Sequence, residues 1–371
     1  MSEDQVESLT TAVLWAGFGV GALFGAIAQR THFCTMGAVA DIVAYGDWSR
    51  MRMWALAVGV AVIGFNTMAA LGWLLPADSI YGGDRVIWLS NLLGGLLFGF
   101  GMVLASGCGS KTLVRIGGGS LKALTVFAVL GLAAYATMRG VVAVARVDVV
   151  DAVDLRLAAG QDLPSLLAHA SGWLPSTAAW TAGLGAGGAL VAWALARPEG
   201  RRAEVALGGA LIGLTVVLAW WVSGVLGRVD EHPLTLERTY LASSTRGIES
   251  LSFVAPMAHL IDWLILFSDA NRRLSLAAVS VLGVVAGSAA MAIATRSFRW
   301  EGFAGTEDTA KHLVGGVLMG IGGVTAMGCT VGQGLSGIST LSIGSLLALA
   351  GILAGARLGL RYQEWRVERM A

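Results

Sequence analysis

Apolar residues run along this chain in stretches long enough to cross roughly 30 Å of hydrocarbon, and polar residues are largely confined to the gaps between them. The pattern predicts about nine membrane-spanning helices, near residues 10–28, 53–75, 87–107, 121–144, 176–196, 203–226, 274–295, 310–328 and 340–357. Two further apolar segments, 33–46 and 248–268, do not read as clean spans. The first is too short, and the second is interrupted by Ser250, Ser252, Pro256, His259 and Asp262. Both are expected to be re-entrant or broken helices, which a bilayer tolerates only where protein or a cavity satisfies the freed backbone. The expected fold class is an all-α polytopic membrane protein forming one transmembrane domain.

A fifteen-residue string occurs twice in the pattern. Gly94 to Cys108 (GGLLFGFGMVLASGC) and Gly315 to Cys329 (GGVLMGIGGVTAMGC) match at nine of fifteen positions. Upstream of the first copy lies Arg30-Thr-His-Phe33-Cys34-Thr-Met-Gly, with Phe33 75 residues before Cys108. Upstream of the second lies Ser250-Leu-Ser-Phe253-Val-Ala-Pro256, with Phe253 76 residues before Cys329. Downstream, Gly119-Ser120-Leu121 is expected to correspond to Gly344-Ser345-Leu346. The chain thus divides into repeat 1 (10–144), a connecting segment and separator helix (145–202), repeat 2 (203–357) and a tail (358–371). Four spans per repeat and one separator give an odd number of crossings, so the copies must be inverted. Inverted repeats bring their broken elements together near the bilayer midplane, where transporters bind their cargo. Within the connecting segment, Val153 to Leu163 is expected to form a short interfacial helix ended by Pro164.

Composition agrees: 56% of the 371 residues are hydrophobic and only 13% charged, where an ordinary soluble domain carries roughly 25% charge. A formal net charge of +1 gives no reason to expect nucleic acid. Glycine, at 52 residues, points to close helix packing and unwound backbone. Met1-Ser-Glu-Asp-Gln-Val-Glu lacks the basic region of a cleavable signal, so the first apolar stretch is expected to stay as a helix. Basic residues collect on alternate connections. One side holds Arg30, Arg50, Arg52, Lys111, Arg115, Lys122, Arg197, Arg201, Arg202, Arg296, Arg299, Lys311 and the tail arginines. The other holds Arg85, Arg146, Arg156, Arg228, Arg238, Arg246, Arg272 and Arg273, diluted by the acidic run Asp148 to Asp154. The positive-inside bias places the tail in the cytoplasm and the N-terminus in the periplasm.

The candidate chemistry is thiol chemistry. The three cysteines all sit at expected irregularities: Phe33-Cys34-Thr35, Gly107-Cys108-Gly109 and Gly328-Cys329-Thr330. An odd count argues against a disulfide framework, and no paired C-x-x-C spacing offers a zinc site. Neither a metal nor another cofactor is expected. Of the histidines, His169, His232, His259 and His312 read as loop or surface residues and His32 as lining an entrance. A thiol is a weak donor and a soft acceptor, able to hand along a sulfur-bearing anion without holding it tightly. Glycines beside it free backbone N–H groups, and the helix beginning there presents its positive dipole end. Conduction also needs sites weak enough to release. Cys34, Cys108, Cys329, Gly107, Gly109, Gly328 and Thr330 are therefore the expected translocation residues. Arg30, His32, Lys111, Arg115 and Arg246 are candidates for attracting or gating an anion. Glu249 and Asp262, the acids of the second broken segment, are expected to pair with an arginine or reach an interface, and proton coupling is not expected. Gly109-Ser110-Lys111-Thr112 lacks the glycine before lysine and the strand that a phosphate-binding loop requires.

The three cysteine motifs, Arg30-Thr-His-Phe-Cys34-Thr-Met-Gly, Gly107-Cys108-Gly-Ser-Lys-Thr-Leu-Val-Arg115 and Gly328-Cys329-Thr-Val-Gly-Gln-Gly, resemble those of the YeeE/YedE sulfur-transport family, in the same order. The resemblance runs from about residue 10 to residue 357. It implies an inner-membrane thiosulfate uptake protein built as an hourglass of inverted repeats, in which the three thiols pass the anion by transient S–H contacts. It also implies a small cytoplasmic TusA-like sulfur carrier as a partner. Two alternatives stay open: a pore for selenium or another sulfur species, and a membrane sulfurtransferase holding a persulfide. An activated cysteine needs a neighbouring base, cation or helix N-terminus. Lys111 follows Cys108 by three residues and His32 precedes Cys34 by two, whereas Cys329 has no such neighbour.

Overall fold

The computed structural model describes residues 2–233, 236–269 and 273–370; Arg272 lies outside the described residues. The first half contains α1 (Glu3–Thr31), α2 (Thr35–Tyr45), α3 (Ser49–Ala70), α4 (Trp88–Leu104), α5 (Gly109–Gly117), α6 (Leu121–Arg139) and the short α7 (Val141–Ala145). The connection holds α8 (Leu163–Ser171), α9 (Pro175–Leu195) and α10 (Pro198–Arg201). The second half contains α11 (Ala203–Trp221), α12 (Val254–Ile265), α13 (Leu276–Ala294), α14 (Thr306–Thr325), a π-helical turn (Gly332–Gly337) and α15 (Ile343–Met370).

Eight helical stretches among the described residues are long and apolar enough to cross a membrane. They account for eight of the nine expected spans. The ninth, expected at 310–328, is the 20-residue helix α14, whose first two turns carry Glu307, Asp308, Lys311 and His312 and so give it a polar end. The two interrupted segments are short helices, α2 of 11 residues and α12 of 12. At 1.5 Å per residue neither reaches more than about 18 Å, well short of a crossing.

Packing follows the duplication. α1 lies on α13 as α11 lies on α3, and α4 lies on α15 as α14 lies on α6. α12 touches α6 as α2 touches α15, and α5 meets α13 as the π turn meets α3. α9 stands outside this scheme, packed mainly on α3. At the centre α4 and α14 cross through glycine. A Cβ on Gly101 would come within 2.8 Å of Gly315 O, and one on Gly322 within 2.5 Å of Phe98 N and 2.6 Å of Gly94 O. The early glycine of each helix thus faces the late glycine of the other, so the two helices run antiparallel. No side chain fits in this seam, which is why the duplicated string is rich in glycine.

Two expectations about the connections need correction. Val153 to Leu163 does not form a helix: Leu155–Arg156 pairs as an antiparallel strand with Arg85–Val86. Pro164 opens α8 instead of ending a helix, because Asp162 caps it, accepting from Ser165 N at 2.9 Å, and proline is suited to a first turn. The downstream match also shifts. Gly119 and Leu341 both take left-handed φ, 98° and 58°, and each precedes a bridging serine that opens the next helix. Ser120 therefore corresponds to Ser342, not Ser345. The interval from cysteine to serine is one residue longer in the second copy, and the π turn, which holds one residue more than an α turn, absorbs it.

Candidate functional site

Each cysteine occupies a break between two helices, and the break is built the same way twice. Helix α4 ends at Leu104, Ser106 turns left-handed at φ 56°, and Gly107 N bonds back to Met102 O at 2.8 Å. Helix α14 ends at Thr325, Met327 turns at φ 57°, and Gly328 N bonds back to Gly323 O at 2.8 Å. The glycine N–H satisfies an orphan carbonyl of the helix before it. The next residue, Cys108 or Cys329, stands at the start of the following turn. Cys34 takes the same position by another route: His32 ends α1 at φ 52°, and Cys34 is the extended N-cap of α2.

Sulfur thus sits where serine or aspartate usually caps a helix. Gly37 N–H points to Cys34 Sγ at 3.4 Å, and Gly332 N–H points to Cys329 Sγ at 3.4 Å. The Cys108 sulfur faces Lys111 N–H outside hydrogen-bond geometry and meets Ser110 Oγ at 3.2 Å. All three cysteines are free and buried.

The breaks also converge. The Cys34 and Cys108 thiols lie near one another, and Cys329 lies within electrostatic reach of Cys108. The Thr330 hydroxyl sits beside the Cys108 sulfur and finds no hydrogen-bond partner of normal geometry. Phe253 N–H faces Cys329, and a Cβ on Gly109 would lie 3.9 Å from Phe253 Cβ and Val254. The Phe253 ring packs on Phe24 of α1 with centroids 5.4 Å apart.

Cavities approach this cluster from two ends. One, about 570 Å³, is lined by Gln29, His32, Lys111, Arg115, Arg296, Arg299 and Glu301. The other is a pair of adjoining cavities that share Tyr81, Arg146 and Met327: about 290 Å³, reaching Gly328, Ser252 and Glu249, and about 390 Å³, reaching Asn91, Gln161, Gln333 and Ser345. Among the described residues no thiol lines any of these cavities; the three sulfurs are buried.

His32 and Lys111 both line the first of these cavities. Arg115 lines that cavity too, but its guanidinium is committed to Glu301 at 3.1 Å and to Ser106 O at 3.4 Å, which spends the charge that was expected to attract an anion. Arg30 and Arg246 are exposed and line none of the three cavities. His312, expected at the surface, is buried in α14, its Nδ1 bonded to Asp308 O at 2.7 Å. Glu249 pairs with no arginine among the described residues; its carboxylate accepts from Ser244 Oγ at 2.7 Å and Ser244 N at 3.2 Å. Tyr81 was not anticipated. Its hydroxyl donates to Gly332 O at 2.8 Å and holds the π turn behind Cys329, from a loop whose sequence carries no sign of that role.

An all-α chain with eight helical stretches, among its described residues, long and apolar enough to cross a membrane is a polytopic membrane protein. The chain belongs to the sulphur transport family, whose model matches residues 30–358. It is 26% identical over 348 residues to a thiosulfate transporter TsuA of Spirochaeta thermophila, covering 91% of this chain and 94% of that one. It is 25% identical over 346 residues to the TsuA of Escherichia coli, covering 87% of each. A shorter likeness, 32% over 98 residues, links it to the probable transporter YedE of Escherichia coli, covering 26% of this chain and 22% of that one.

Proposed function

We propose that this protein takes up thiosulfate, or a close sulfur oxyanion, through the closed thiol constriction between its two cavities, and that it is not an enzyme. The observation that carries the reading is the convergence of three free cysteines, from three separate motifs, on one buried point flanked by helix-start N–H groups. Those N–H groups and the sulfurs offer an anion soft contacts and partial charge without a fixed cation at the narrowest place. Gly107, Gly109 and Gly328 keep the backbone bare there, and Thr330 adds a hydroxyl with bonding capacity to spare.

Antiparallel α4 and α14 support a reading of the halves as inverted repeats, with the breaks meeting near the midplane. The shortness of α12 supports an odd crossing count, hence an inner-membrane protein with a periplasmic N-terminus and cytoplasmic tail. The mouth lined by Lys111, Arg296 and Arg299 then faces the cytoplasm, where a TusA-like carrier would collect the sulfur. The nearness of the Cys34 and Cys108 thiols favours one further reading, a sulfurtransferase storing a persulfide; detection of that persulfide after incubation with thiosulfate is its test. The primary test is growth of a strain lacking its own importers on thiosulfate as sole sulfur source. Growth restored by the wild type and lost with Cys34→Ser, Cys108→Ser or Cys329→Ser, at normal levels of folded protein, is expected. Retained uptake in all three variants would reject the relay.

A further inference from the structure

Among the described residues Glu249 is the one acid in the wall of the cavity that ends at Gly328, directly before Cys329. Its side chain is more than nine-tenths buried, and its Oε1 has no hydrogen-bond partner. The residue cannot swing aside: Ser244 holds Oε2 through two bonds, and its own N–H donates to Ser223 Oγ at 2.7 Å. The charged and titratable groups around it are few. Arg146 shares the cavity but is paired with Asp151 at 3.4 Å, and the Tyr81 hydroxyl is committed to Gly332 O. From α1, α11 and α13 only uncharged side chains approach, such as Val20, Ala219 and Ser280, and from the turn after α11 comes Val222. From α6, α12 and α14 come Met138, Pro256 and Val324. On its own loop Arg246 is exposed.

A dianion entering through this cavity toward Gly328 passes this carboxyl, and two like charges in a confined, largely apolar wall repel strongly. We propose that Glu249 takes a proton from the cavity water to admit the anion and returns it once the anion has moved on, so that entry from the Arg146 end is proton-linked. The proton binds at the free Oε1, leaving the Ser244 bonds to Oε2 intact. Burial, working against the Ser244 bonds and the nearby Ala277 N–H, pushes the carboxyl up from its ordinary value to about 7. It is neutral below that pH and charged above it, so entry rises as pH falls through about 7. The other mouth is built differently. Gln29, placed four residues before Phe33 as Glu249 is before Phe253, presents an amide there and binds no proton.

This rests on the thiosulfate reading, and the experiment separates the two. Initial uptake of labelled thiosulfate is measured at external pH 6 and 8 in cells lacking other importers. The wild type is expected to be faster at pH 6 by up to about tenfold, the ratio of protonated fractions around a midpoint near 7. Glu249→Gln, a neutral isostere that can keep the Ser244 bonds, is expected to be nearly flat and at least as fast at pH 8; Glu249→Asp serves if the first variant does not fold. A flat wild-type profile, or an unaltered slope in Glu249→Gln, overturns the proposal and leaves thiosulfate transport standing. If folded wild type moves no thiosulfate at either pH, the thiosulfate reading fails instead. Infrared titration of the purified protein then decides the proton site: a carboxyl band lost near pH 7 and absent from Glu249→Gln supports it, and no such band in the wild type overturns it.

Discussion

The Cys108 and Cys329 breaks share a backbone and differ in what holds them. Around Cys329 the chain is tied from several sides: Tyr81 to Gly332 O, Gln333 Nε2 to Ala326 O at 2.6 Å, Ser336 Oγ to Leu251 O at 2.7 Å and Asn66 Nδ2 to Ser339 O at 3.0 Å. Around Cys108 the ties are fewer and mostly local, Ser110 Oγ to Cys108 Sγ at 3.2 Å and Thr112 Oγ1 to Cys108 O at 3.1 Å, with Arg115 reaching back to Ser106 and across to Glu301. In exchange Cys108 has a second thiol beside it, where the other half has Val254 after Phe253. One copy is a braced wall and the other carries the paired sulfurs. The same backbone shape thus occurs twice with different polar surroundings.

The sharpest way to break this comparison is at the sulfurs. Cys108→Ser and Cys329→Ser are each expected to lower thiosulfate uptake by at least about tenfold, because serine is a harder, better hydrated donor at the same place. Full uptake by Cys329→Ser would reduce the second break to scaffold. Next comes the seam that both breaks share. Gly322→Ala puts a methyl against Phe98 N and is expected to cost about 1–3 kcal/mol, read as a lower melting temperature in detergent. An unchanged melting temperature would mean the helices can part at no cost. Bracing is tested more finely by Tyr81→Phe, which strips one buried bond and should cost about 1 kcal/mol, against Ser110→Ala at the other break, expected within about 0.5 kcal/mol of wild type. Equal losses would erase the distinction. The smallest effect is expected for Lys111→Gln: uptake lowered roughly twofold at low ionic strength and restored by salt, as suits a cation acting at range.

Much of the scaffold was legible because a bilayer enforces a length and a composition, and α3, α4, α6, α9, α11 and α13 follow the apolar runs closely. The cysteine breaks were legible for a second reason, repetition, since Gly107-Cys108 and Gly328-Cys329 stand in matching strings. What escaped was set by partners distant in sequence. Nothing near Arg115 announces Glu301, 186 residues away, and nothing near Tyr81 announces Gly332, 251 residues away. The shifted match of Ser120 to Ser342 was hidden because a π turn changes register without changing residue type. Pro164 misled for a local reason: proline marks a helix start as readily as a stop, and Asp162 decides which.

The burial of the sulfurs gives the protein a built-in clock. Since the chain has no cysteine besides these three, and Cys34 is only 7% exposed while Cys108 and Cys329 are fully covered, a charged alkylating reagent has almost nothing to attack while the sulfurs stay covered. Labelling then proceeds at the frequency of opening, in the manner of exchange through rare local excursions. The order in which the three masses appear, with reagent applied to one face or the other, would report how far each excursion penetrates, and Cys34 is expected to be marked first from the side of His32.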